Sequence, residues 1–91
     1  MSLEQNLQAF QQKYTSLEQQ APQGSVERHV YNQIMMCINS AQDVTPATQR
    51  AFETQIALAN IAQVLDPPSK RQEVWKAVEE LEQIADLPPL R

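Results

Sequence analysis

The sequence predicts an all-α fold: a small antiparallel bundle of four helices, over about residues 3–20, 26–41, 46–65 and 70–86. Three observations carry this expectation. Apolar residues recur at spacings of three and four, the period of a helix that buries one side. Val, Ile and Thr never alternate over a strand-length run, so no strand is expected. The six prolines and the single glycine fall at or between the ends of the periodic segments, where they start or stop helices. Ninety-one residues make one domain, 1–91, near the lower end of what folds alone.

In the first helix, Ser2 with Gln5 three residues on has the form of a capping box. Leu3, Leu7, Phe10, Tyr14 and Leu17 then repeat at heptad spacing, with little apolar outside the row. So narrow a seam meets one partner helix. That partner is either another helix of this chain or the same helix of a second copy, and the latter makes the seam a homodimer contact. Pro22-Gln23-Gly24 breaks the chain, and Ser25 opens the second helix. Val26, Val30, Ile34, Cys37 and Ile38 share its apolar face, while Met36 points away.

The third helix is expected to be the central one. Thr45 reads as its N-cap with Pro46 in the first helical position, and Asp66-Pro67-Pro68 is its stop. With residues about 100° apart around the axis, Ala51, Leu58, Ile61, Ala62 and Leu65 fall on one side. Phe52, Ile56 and Ala59 fall on an adjoining side. An apolar arc this wide implies several neighbouring helices, with Leu58 and Ile61 inside the core. In the fourth helix, Ser69 with Gln72 fits a second capping box, and Val74, Ala77, Val78, Leu81 and Ile84 form the buried stripe. The final Leu87-Pro88-Pro89-Leu90-Arg91 lacks the full PxxP spacing of polyproline ligands. It reads either as a ligand motif or as a frayed end.

The composition narrows the function classes. A net charge of −4 with no basic stripe disfavours nucleic acid and anionic membrane surfaces. A nucleic-acid-associated helix-turn-helix regulator is the alternative reading, but its only basic doublet would be Lys70-Arg71, with acids following; a helical ligand-binding protein or enzyme ranks third. No apolar run approaches the ~18 residues of a membrane span. A lone cysteine and no recognisable signal peptide fit a cytoplasmic protein. His29 and Cys37, eight apart, are not helix neighbours that share a proton. Metal-ligand spacings and phosphate-cradling glycine loops are both missing from the sequence, so no metal, cofactor or enzyme activity is expected.

What is left is a small protein-interaction module, a regulator or adaptor, expected to act as a homodimer. Its candidate partner site is on the fourth helix. Trp75, Glu79, Glu82 and Asp86 line up beside the apolar stripe. Their like-charge neighbours cost helix stability, and Glu82 and Asp86 sit at the end of the helix that disfavours negative charge. An aromatic rimmed by unrewarded acids suits a basic protein partner.

Overall fold

The computed structural model describes residues 2–91. It contains four helices, α1 (Leu3–Gln20), α2 (Val26–Ser40), α3 (Ala47–Val64) and α4 (Arg71–Ala85), and no strand among the described residues. A single 3-10 turn, Pro68–Lys70, leads into α4. Side-chain bonds give the directions. Gln11 meets Asn39 and Glu18 meets Asn32, so α1 and α2 are antiparallel. Gln55 meets Glu82 while Arg71 reaches back to the Leu65 carbonyl, so α3 and α4 are antiparallel too. These two hairpins pack on each other, and every helix touches the other three.

The caps divide into those the sequence shows and those it does not. Ser2 Oγ accepts from the Gln5 amide at 3.1 Å, and Gln5 Oε1 accepts from the Ser2 amide at 3.1 Å, completing the capping box. Ser25 Oγ accepts from the Arg28 amide at 3.1 Å. The other two expected caps are corrected. Pro46, not Thr45, holds the N-cap position of α3, and no side chain caps that end. Ser69 lies inside the 3-10 turn, so α4 starts from Lys70 without a side-chain cap. The turn that Pro68 opens draws Ser69 into helical geometry, where its hydroxyl cannot take the cap's place.

The core is aliphatic with two aromatics. Val30, Ile34, Leu58, Val74, Val78 and Leu81 are almost fully buried. Phe10 and Tyr14 of α1 meet edge to face, with ring centroids 5.1 Å apart. α1 thus contributes to the core directly, the first of the two alternatives its seam allows. The buried side of α3 is corrected. Phe52 and Ile56 are 41% and 39% exposed, and Ile61 is only partly buried. Thr54 and Gln55 are buried in their place. Thr54 Oγ1 bonds back to the Arg50 carbonyl at 2.8 Å, which lets a hydroxyl go inside without an outside partner. Gln55 is wholly buried because α4 and the chain beyond it supply acceptors for its amide.

Candidate functional site

α4 ends at Asp86, which adopts the left-handed conformation with φ 52°. Asp tolerates this region better than most residues with a side chain. The amide of Leu87 then bonds the Glu82 carbonyl at 2.9 Å, and the chain reverses. Leu87–Arg91 runs back along α4 toward its start. Gln72 and Asp86 are fourteen residues apart, about 21 Å at helical rise. Pro88 and Pro89 each hold the residue before them in extended geometry, and the long Arg91 side chain reaches on to Gln72.

This segment lies on the expected partner strip. The Arg91 guanidinium carbon stands 4.8 Å from the Trp75 ring centroid, and Nη1 donates to Gln72 Oε1 at 3.1 Å. Glu82 Oε2 accepts from the Leu90 amide at 3.0 Å and from Gln55 Nε2 at 2.8 Å. The same Nε2 donates to the Pro88 carbonyl at 2.9 Å. Both amide protons of Gln55 are therefore used, while its Oε1 is buried without a partner. Pro89 lines two shallow hollows on this face, and Glu79 and Glu82 line both.

The four strip residues play different parts. Trp75 is partly buried, with one edge packed against the core. Glu82 is half-buried and holds the segment. Glu79 and Asp86 are exposed and make no ion pair among the described residues. The remaining acids of the helix are committed elsewhere. Glu80 pairs with Lys13 at 2.8 Å and accepts from the Tyr14 hydroxyl at 3.2 Å. Burial, with Glu80 beside it, holds the Tyr14 hydroxyl well above the usual tyrosine range.

The α1 seam is placed inside the fold. Phe10 and Tyr14 are buried, Leu7 and Leu17 pack against the core, and Leu3 is half-buried. Of the two partners that the narrow seam allows, helices of the same chain are the ones it meets here. Beside it lies a cleft of about 180 Å³ floored by Leu7, Phe10 and Leu81. Its one cation, Arg50, is paired with Glu4 across the opening.

Cys37 is buried, and burial pushes its thiol up to about 11, where it is inert at neutral pH. His29 is exposed. No group of three or more metal-ligating side chains occurs among the described residues. Lys70 pairs with Glu27 and Arg71 donates to the Leu65 carbonyl, so the one basic doublet is tied to the protein itself. No described helix is long and apolar enough to cross a membrane.

The features missed in the sequence are Gln55 and Arg91. Gln55 falls within the apolar arc of α3, and a Gln there signals a buried polar contact; the fourteen glutamines of the chain mask it. No family model matches this chain, and no curated protein or solved structure is significantly similar to it.

Proposed function

We propose that this chain is a small non-enzymatic protein-interaction module, a cytoplasmic regulator or adaptor. Its contact is the strip Trp75, Glu79, Glu82 and Asp86, and its partner is a protein bearing a basic segment. The observation that carries this reading is the guanidinium of Arg91 on the face of Trp75. An aromatic face that holds one arginine has the geometry and field to hold another. The exposed carboxylates of Glu79 and Asp86 add the charge that steers a cation to it. The helix-turn-helix alternative loses support, because Lys70 and Arg71 are engaged internally. A homodimer through the α1 seam loses support, because the seam is already filled within each chain and such a dimer would require α1 of one copy to enter the bundle of the other.

The test is capture from lysate with nuclease present, comparing the wild type with Glu79→Lys. The Glu79 side chain makes no hydrogen bond or ion pair among the described residues, so this variant stays folded with stability within about 0.5 kcal/mol of wild type. Partner proteins are expected on the wild type and lost from the variant. Equal capture by both would assign the strip to ordinary surface.

A further inference from the structure

We propose that the Trp75 strip is a receptor for extended proline-containing segments carrying Arg two residues after the last proline, and that Leu87–Arg91 is its resident occupant in the same chain. This rests on the interaction reading above and gives the partner's chemistry.

The contacts sort into two kinds. Gln55 donates to the carbonyl of Pro88, and Glu82 accepts the amide of Leu90. Both are main-chain groups that any extended segment offers, so they set register rather than identity. Between them sits Pro89, which has no amide hydrogen to satisfy and holds the chain extended. Identity is read at the end of the segment. Arg91 stacks on Trp75, and Gln72 fixes the plane of its guanidinium.

Beyond Leu87, residues Pro88–Arg91 have the marks of an exchangeable ligand rather than of core. Leu90 is 48% exposed, and Pro88, Pro89 and Arg91 are exposed as well. Leu87 packs against the core and anchors the start of the segment; beyond it, polar contacts and one stacked cation hold the chain. Segments of that kind open without unfolding the rest. The receptor beneath is built of helix: Gln55 is wholly buried on α3, and Glu82 and Trp75 are half-buried on α4. Opening therefore leaves the receptor standing. A partner segment must compete with a neighbour at high effective concentration, so the resident acts as an internal inhibitor.

The experiment uses the full chain and the amidated peptide Asp-Leu-Pro-Pro-Leu-Arg, read by emission of Trp75, the single tryptophan. The peptide is titrated into the wild type and into Arg91→Ala, which weakens the resident and leaves the receptor intact. Arg91→Ala is expected to bind the peptide about tenfold or more tightly than wild type, the factor lost when a resident fills the site nine-tenths of the time. The same peptide ending in Ala should not bind. No response from either chain, or equal binding of the Arg and Ala peptides, would overturn the proposal. Equal binding of the proline-free Asp-Leu-Ala-Ala-Leu-Arg overturns the proline requirement alone, and the strip then stands as a site for basic segments. The interaction reading fails separately, by lysate capture that Glu79→Lys does not change.

Discussion

At the scale of single residues, two buried polar groups have measurable consequences. Gln55 gives both its amide protons to Glu82 and the Pro88 carbonyl. Gln55→Ala removes both bonds and opens a small void, at a cost of about 1–3 kcal/mol. Urea unfolding measures that cost, and a red shift of Trp75 emission in the native baseline would show the segment loosened. Tyr14 supplies a pH dependence. Its folded-state ionisation is raised, so its contribution is complete below the ordinary tyrosine value of 10.0 and is lost as pH rises beyond it. Stability is expected to fall above pH 10, and less steeply in Tyr14→Phe; equal slopes in urea midpoints taken at pH 9, 10 and 11 would count against a buried, neutral Tyr14 hydroxyl. Neither role is legible in the sequence. Gln55 meets partners 27 and 33 residues away, and Tyr14 meets Glu80 across 66. Periodicity reports which side of a helix is apolar, but not which polar residue a distant acceptor will draw inside.

At the scale of elements, the helices were legible because their stops are local. Proline pairs, capping serines and apolar spacing each act within one or two turns. Where the reading failed, a neighbouring residue changed the local geometry. Ser2 and Ser25 cap because both keep the extended backbone of an N-cap residue, whereas the turn that Pro68 opens draws Ser69 into helical geometry. Ser25→Ala is therefore expected to cost about 1 kcal/mol and Ser69→Ala less than about 0.5. The facing of α3 is tested by a second contrast. Leu58 is wholly buried and Ile56 is not. Leu58→Ala should cost about 2–5 kcal/mol, and Ile56→Ser should stay within about 0.5. Similar losses for the two in thermal melts would mean that α3 turns its other side inward.

At the scale of the whole molecule, α1 completes the bundle. Phe10 is 3% exposed, so Phe10→Ala is expected to cost about 3–5 kcal/mol. A domain of this size has about 5–14 kcal/mol in all. The unfolding midpoint should fall by the same amount at every protein concentration; a midpoint that rises with concentration would instead indicate copies exchanging α1. The two-hairpin plan also orders events in time. Each hairpin joins sequence neighbours through a short link, so its loop closes cheaply, and helical topologies of this kind fold in microseconds to milliseconds. Leu87–Arg91 is different. Its seat combines Gln55 of α3 with Glu82, Trp75 and Gln72 of α4, and does not exist until that hairpin has formed. The segment is therefore the last piece on and the first off. In hydrogen exchange the Leu90 amide should open on a faster clock than the helix amides beneath it.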